Sequence, residues 1–120
     1  GTRDMTPFLV VPEAIKFLND NNWQERSKLN RKLVISTRNQ FLDLLNGEPI
    51  CPDDWLGQMA TIELPIDDPL QFKRSLMEIY KIQIPVFSWG NITALRYSVH
   101  FYNTEEDVKR LVAAVKELLH

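Results

Sequence analysis

Arg96 is the residue whose type and position give it the clearest capacity for chemistry. It lies in a stretch from Leu95 to Tyr102 in which apolar and polar residues alternate, and this alternation predicts a strand with one apolar and one polar face. The polar face carries Arg96, Ser98, His100 and Tyr102. An arginine on such a face forms a salt bridge or, as its functional alternative, binds a carboxylate through both arms of its planar guanidinium. The residues alone leave both roles open.

A capped helix follows this strand at once. Thr104 and Asp107 are three residues apart, which is typical of a capping box that binds the free amides of a first helical turn. The helix predicted from Glu105 to Leu119 has one apolar face, formed by Val108, Leu111, Val112, Val115, Leu118 and Leu119. Its outer side offers the four-residue charge pairs Glu105 with Lys109 and Glu106 with Arg110.

The histidines and the paired carboxylates predict no metal site. His100 and His120 are far apart, and no spaced group of cysteine, histidine or acidic residues joins them. His100 itself is interpreted as a packed or solvated histidine. Asp53-Asp54 and Asp67-Asp68 each stand beside a proline, so we interpret them as turn and capping residues.

The lone cysteine and the basic residues are also interpreted as structural. Cys51 lies in a loop from Glu48 to Gly57 whose charged residues are acidic, which favours an inert thiol. The long second helix carries five cations without aromatic interleaving, which predicts a solvated basic face: Arg26, Lys28, Arg31, Lys32 and Arg38.

Apolar spacing and turn residues predict the elements that position Arg96. In chain order these are a short helix begun by Pro12, a long helix from Trp23 to Asn46, a strand from Met59 to Leu64, a helix capped by Asp68, a strand from Ile82 to Trp89, the Arg96 strand and the last helix. The third helix is expected to present Phe72, Leu76, Ile79 and Tyr80 to the sheet, and Pro85 indicates an edge strand. The sequence therefore predicts an α+β domain, in which a small, mainly antiparallel three-stranded sheet has helices on one face and a long helix before it.

Length and composition limit the classes of protein that are possible. A chain of 120 residues, with 44% hydrophobic and 25% charged residues, predicts one globular domain spanning residues 1–120. The net charge of -2 gives no general attraction to nucleic acid or to an anionic membrane. The single cysteine and the lack of an apolar run long enough to span a bilayer favour a soluble, cytoplasmic protein.

The last strand and helix carry a resemblance to a known family. Leu95-Arg96-Tyr97-Ser98, followed by Tyr102-Asn103-Thr104-Glu105-Glu106-Asp107-Val108, resembles the C-terminal signature of the class V pyridoxal-phosphate aminotransferases. Within that family the sequence is most similar to the isopenicillin N epimerase-like branch. Gly1-Thr2-Arg3-Asp4 resembles the Gly-Thr segment that precedes the small domain of these enzymes, and Ile84-Pro85-Val86 to Trp89 also fits.

The resemblance implies roles for two residues. It implies that Arg96 binds the α-carboxylate of an amino-acid substrate, and that Thr2 hydrogen-bonds the phosphate of pyridoxal 5'-phosphate in the other subunit of a homodimer. It also implies a fold type I C-terminal small domain that closes over an active site built mainly by a large upstream domain of the same chain.

The resemblance also implies that this chain holds no catalytic residue of its own. The cofactor lysine and the acid opposite the pyridine nitrogen belong to the large domain. Every lysine here is expected on an ordinary helix or strand face: Lys16, Lys28, Lys32, Lys73, Lys81, Lys109 and Lys116. Cys51 does not match the nucleophilic cysteine of the cysteine desulfurase branch, whereas epimerisation, transamination and a lyase reaction remain open.

A different class of function also fits the order of elements. Strand, helix, strand, strand and helix in succession form the core of ferredoxin-like ligand-sensing domains. The alternative prediction is therefore a freestanding regulatory or interaction module that binds a small ligand or a second copy of itself.

Overall fold

The fold is built on a three-stranded antiparallel sheet, and the computed structural model describes residues 3–119. In chain order its elements are α1 (Thr6–Leu9), α2 (Val11–Asp20), α3 (Trp23–Leu45), a 3-10 turn (Asp53–Trp55), β1 (Met59–Leu64), α4 (Pro69–Tyr80), β2 (Val86–Trp89), β3 (Ile92–Ser98) and α5 (Glu105–Leu119). The predicted α+β architecture, with a long helix before the sheet, is confirmed.

The strand order β1-β3-β2 places the Arg96 strand in the middle of the sheet. Arg96 of β3 pairs with Thr61 of β1, and Val86 of β2 pairs with Leu95. The inner face of the sheet is apolar because Ile62, Leu95 and their same-face neighbours are buried beneath α3, α4 and α5. The opposite, outer face carries Arg96, together with the exposed side chains of Met59 and Trp89.

The core joins the inner face of the sheet to one side of each of the three long helices. Its largest fully buried side chains are Phe41, Ile62, Leu76, Leu95, Val34, Val99 and Val115. Tyr97 is 3% exposed, and its hydroxyl donates a hydrogen bond to the carbonyl of Val34 at 2.6 Å. Burial raises the pKa of Tyr97 well above its ordinary value, because the phenolate loses solvation there.

The predicted start of α4 is confirmed in detail. The carboxylate of Asp68 accepts hydrogen bonds from the amides of Leu70 and Gln71, and Pro69 occupies the first helical position. The predicted inner face of this helix is confirmed for Phe72 and Leu76 but is wrong for Ile79, which is 64% exposed. Ile79 lies in the last turn of α4, where helical spacing alone does not bury a side chain.

Two predicted strand boundaries are wrong. The strand predicted from Ile82 begins only at Val86, because Pro85 has no amide to donate and the chain before it does not join the ladder. Pro85 still accepts a hydrogen bond from the amide of Arg96 at 3.1 Å, and β2 is an edge strand as predicted. The Arg96 strand ends at Ser98, not Tyr102. There the side chain of Asn103 accepts a hydrogen bond from the amide of His100, which turns the chain.

The two N-terminal helices pack differently from the rest. No residue of α1 or α2 is buried, and several large apolar side chains in and between these helices are exposed: Phe8, Leu9, Val10, Val11, Ile15 and Phe17. Within residues 3–119, no helix combines the length and the apolar character that crossing a membrane requires.

Candidate functional site

Arg96 projects from the outer face of the sheet, where its charge can meet a ligand. Its guanidinium carbon lies 5.9 Å from the centre of the Phe87 ring on β2, within the range of a cation–π contact. Within residues 3–119, the Arg96 side chain forms no ion pair and no hydrogen bond. The salt-bridge alternative for Arg96 therefore finds no carboxylate partner in the part of the chain that the structure describes.

A surface cavity of about 570 Å³ opens beside Arg96. It lies between the end of β3, the connection from α4 to β2, and the beginning of α5. Its polar lining comes from Lys81, Gln83, Arg96, Ser98, His100, Tyr102, Asn103, Asp107 and Arg110. A volume of several hundred Å³ is typical of sites for small molecules. Arg96 thus stands at a concavity large enough for an amino-acid-sized ligand.

The capping box predicted at the start of α5 shapes one wall of this cavity. The Asp107 carboxylate accepts hydrogen bonds from the amide and the hydroxyl of Thr104, at 2.8 and 3.0 Å. These bonds, with a smaller contribution from the charge of Arg110, lower the pKa of Asp107 below its ordinary value. The Asp107 carboxylate is therefore ionised at neutral pH and is already engaged by the cap.

His100 is packed rather than solvated, which selects one of the two interpretations made for it. Its ring lies 5.0 Å from the ring of Trp23, 5.2 Å from Phe101 and 5.5 Å from Tyr102. Phe101 also contacts Phe17 at 5.7 Å, so this aromatic group joins α2 and α3 to the turn before α5. The Nδ1 atom of His100 is buried and has no hydrogen-bond partner within the described residues.

The predicted solvated basic face of α3 is wrong for Arg38. Arg38 is 4% exposed, donates to the carbonyl of Cys51 at 2.7 Å, and forms an ion pair with Asp53. Arg31 also binds the same loop, through the carbonyls of Asp53 and Leu56. The sequence contained a sign that Arg38 is buried: it is four residues after Val34 and so lies on the buried stripe of the helix.

The other predicted sites do not join the Arg96 cavity. Cys51 is partly buried in the loop held by Arg38 and does not line the cavity. Thr2, the predicted cofactor-phosphate residue, lies outside the residues that the structure describes. The described part of the chain contains no group of three or more histidine, cysteine, aspartate or glutamate side chains that could hold a metal ion.

Sequence reasoning missed two cations at this site. Lys81 was expected on an ordinary helix or strand face, yet it follows α4 with a φ of 58° and lines the cavity. Arg110 was expected to pair with Glu106, but it donates to the carbonyl of Tyr80 at 3.3 Å and also lines the cavity. The pair predicted between Glu105 and Lys109 is present at 3.9 Å. Only the fold brings residues 81, 96 and 110 to one place.

Curated relatives confirm the resemblance seen in the sequence. The chain is 37% identical to isopenicillin N epimerase from Amycolatopsis lactamdurans and 31% identical to isopenicillin N epimerase from Streptomyces clavuligerus, over 98% of its own length in each case. It is also 27% identical to a probable chloroplastic L-cysteine desulfhydrase from Arabidopsis thaliana, over 99% of its length. The chain spans about 30% of the length of these relatives. No family model matches the sequence.

A solved structure shows the same fold. The chain is similar to 8-amino-7-oxononanoate synthase from Francisella tularensis with a TM-score of 0.56 and 21% sequence identity. The match covers 75% of this chain and 27% of that protein. At this level of identity the likeness concerns the fold alone, and it agrees with the predicted fold type I C-terminal architecture.

Proposed function

We propose that this chain is the C-terminal domain of a longer, pyridoxal-phosphate-dependent enzyme that acts on an amino acid, and that Arg96 binds the α-carboxylate of the substrate. The observation that carries the proposal is the Arg96 guanidinium, which projects into a cavity without a carboxylate partner among residues 3–119. The similarity to two isopenicillin N epimerases supports this assignment over most of the chain's length.

Arg96 suits this role through its geometry and its support. A guanidinium offers two parallel N–H groups to a carboxylate, which fixes the orientation of the bound acid as well as its position. The central strand restrains the Arg96 backbone on both sides, through Thr61 and Pro85, and the Phe87 ring lies beside the charge. Holding the α-carboxylate in one orientation would align the reacting bond at the substrate Cα.

The chain fits the substrate end of such a site better than its cofactor end. Pyridoxal phosphate, when bound, supplies an electron sink that stabilises negative charge at the substrate Cα. Lys81 is the one lysine among the described residues that lines the cavity, and its ammonium donates to the carbonyl of Glu78. We therefore place the cofactor lysine and the acid partner of the pyridine nitrogen in an upstream domain of the same polypeptide.

The outer face of the sheet is proposed as the surface that meets this upstream domain. Met59 and Trp89 on that face are 47% and 66% exposed, although both are large and apolar. Covering them would bury apolar area and would also exclude water from the Arg96 cavity. Binding of the cofactor phosphate of a second subunit by Thr2 belongs to the same proposal, as does the homodimer that it requires.

Among the open reactions we favour epimerisation at the substrate Cα. The two epimerases are 37% and 31% identical to this chain, against 27% and 24% for the two desulfhydrases. Assays of the complete polypeptide for racemisation, transamination and sulfide release separate the three reaction types. Sulfide release without racemisation would overturn this choice.

The test of the proposal is to express the complete reading frame that contains these 120 residues and to compare it with Arg96→Ala. We expect visible absorbance from bound pyridoxal phosphate in both proteins, and a KM for the amino acid raised at least about tenfold by loss of the charge-assisted contacts. Arg74→Ala is the matched control, because Arg74 is exposed on α4 and does not line the cavity.

Two outcomes would contradict the proposal. A complete polypeptide that binds no pyridoxal phosphate would favour the ferredoxin-like regulatory module. Loss of the cofactor in Arg96→Ala, with unchanged affinity for the substrate, would contradict the role given to Arg96.

A further inference from the structure

Two further cations face the cavity beside Arg96. Lys81 lies where α4 ends, and Arg110 lies in the second turn of α5. Ion pairs among residues 3–119 join Lys28 to Glu25, Arg38 to Asp53 and Lys109 to Glu105. Lys81, Arg96 and Arg110 are in none of these pairs. Three cations thus line one concavity, and none of them forms an ion pair with a carboxylate in the described part of the chain.

The hydrogen bonds of Lys81 and Arg110 leave donors available to a ligand. The Lys81 ammonium donates to the carbonyl of Glu78 at 2.8 Å, and an Arg110 nitrogen donates to the carbonyl of Tyr80 at 3.3 Å. Both acceptors lie in the last turn of α4, so these bonds hold the two cations at the same end of the cavity. An ammonium has three donors and a guanidinium has five, so each group retains others.

The charges of the cavity are unbalanced. The one carboxylate in its lining is that of Asp107, which accepts hydrogen bonds from the amide and the hydroxyl of Thr104. Three cationic groups therefore line the cavity with one carboxylate, whose charge also interacts with Arg110, so the lining keeps a net positive charge. The net positive charge of the lining attracts an anionic ligand.

The two ends of the cavity are separated by a short connection. The five residues from Lys81 to Pro85 form one wall, and the carbonyl of Pro85 accepts a hydrogen bond from the amide of Arg96. Four peptide steps span at most about 14 Å when fully extended. Since lysine and arginine side chains are long, the charged groups at the two ends can contact opposite ends of one small molecule.

We infer that Lys81 and Arg110 form a second anion subsite, which binds a carboxylate on the side chain of the substrate. The inference rests on the proposed function, because it takes Arg96 as the contact of the α-carboxylate. The substrate class is then an amino acid with a second acidic group at the end of its side chain. A neutral side chain leaves the two cations uncompensated, whereas an acidic one of the right length contacts them.

The variants that test the subsite are chosen to preserve the fold. Lys81→Asn removes the charge and keeps a residue that tolerates the left-handed backbone observed there, with φ of 58°. Arg110→Gln removes a charge from the solvent side of α5. Lys109→Gln is the matched control, since Lys109 is adjacent on the same helix, pairs with Glu105 and does not line the cavity.

The experiment measures the affinity of the complete polypeptide for two pairs of amino acids by titration calorimetry. Glutamate is compared with norvaline, and 2-aminoadipate with norleucine, so that each acidic ligand has a neutral partner of the same chain length. We expect Lys81→Asn and Arg110→Gln each to weaken the acidic ligands about tenfold, as for one charge-assisted hydrogen bond, and the neutral ligands less than about twofold. Lys109→Gln should change neither class.

Arg96→Ala in the same assay distinguishes failure of the subsite from failure of the proposed function. Suppose that Arg96→Ala weakens the binding of all four ligands. If Lys81→Asn and Arg110→Gln then weaken acidic and neutral ligands equally, or change the affinity for neither class, the subsite is overturned and the proposed function stands. If Arg96→Ala weakens no ligand, both are overturned.

Discussion

The Arg96 guanidinium lies 5.9 Å from the centre of the Phe87 ring, across the boundary between the central strand and an edge strand. Phe87 pairs with Ala94, two residues before Arg96, so both side chains project from the outer face of the sheet. The ring attracts the cation and limits the space open to it. If Arg96 binds the substrate as proposed, Phe87 is expected to act on that substrate through Arg96, as a positioning residue.

Phe87→Leu is expected to weaken substrate binding without loss of the fold. Removing a partly exposed cation–π contact costs about 0.5–1 kcal/mol, which corresponds to a KM raised about two- to fivefold. The measurement is steady-state kinetics of the complete polypeptide, with kcat expected to change less than KM. Trp55→Leu, at an exposed aromatic residue of the 3-10 turn that does not line the cavity, should leave KM unchanged. An equal effect of the two substitutions would show that Phe87 does not act through Arg96.

Arg38→Met is expected to destabilise the chain more than any substitution on the exposed side of α3. It removes the donors to the Cys51 carbonyl and to Asp53, so it releases the loop that follows α3. We expect a loss of about 2–4 kcal/mol in the free energy of unfolding, measured by urea denaturation. Arg38→Lys should restore little of it, because a single ammonium does not reproduce the fork of two donors.

Lys32→Met provides the control for Arg38→Met, because Lys32 is exposed on the same helix. Its effect should stay within about 0.5 kcal/mol. If the two substitutions cost the same free energy, the buried position of Arg38 would have no energetic consequence.

Tyr97 should make the stability of the chain fall at alkaline pH. Its folded-state pKa is raised by burial above an unfolded value near 10, so the neutral phenol favours the folded state. This contribution is complete below about pH 10 and is lost as pH rises from there toward the folded-state pKa. Unfolding by urea between about pH 8 and about pH 11 should therefore show a fall in stability that Tyr97→Phe reduces.

Tyr80→Phe is the comparison for this pH dependence. The pKa of Tyr80 is also raised, chiefly by its hydrogen bond to Glu117, but this hydroxyl is on the surface. The steep alkaline fall should persist in Tyr80→Phe, because Tyr97 remains. A profile that is the same in Tyr97→Phe as in the unmodified chain would contradict the argument from burial.

Local signals predicted the regular elements well. Asp68-Pro69 fixed the start of α4, and Thr104 with Asp107 fixed the start of α5, since both depend on contacts within a few residues. The end of the Arg96 strand was wrong because it depends on the side chain of Asn103, which turns back to His100. Position on the buried stripe of α3 would have separated Arg38 from the solvated cations.

The candidate site could be predicted only in part. The alternation of the strand and the family resemblance both led to Arg96. Lys81 and Arg110 are 15 and 14 residues away from it in sequence, on opposite sides, and nothing near either residue indicates a cavity. Their position depends on how the end of α4 meets the second turn of α5, which is a tertiary relationship that spacing along one element does not contain.

The helices α1 and α2, whose apolar side chains are exposed, are expected to unfold locally at a lower free energy than the rest of the chain. Helices that bury no residue gain little from the cooperative core, so their backbone amides should exchange with solvent by local fraying. The amides of β3 and the central turns of α3 are tied to Leu95, Val34 and Phe41, so they open only when the whole core does. The segment that unfolds as one cooperative unit is therefore expected to be shorter than the chain and to begin within α3, whose buried residues start at Asn30.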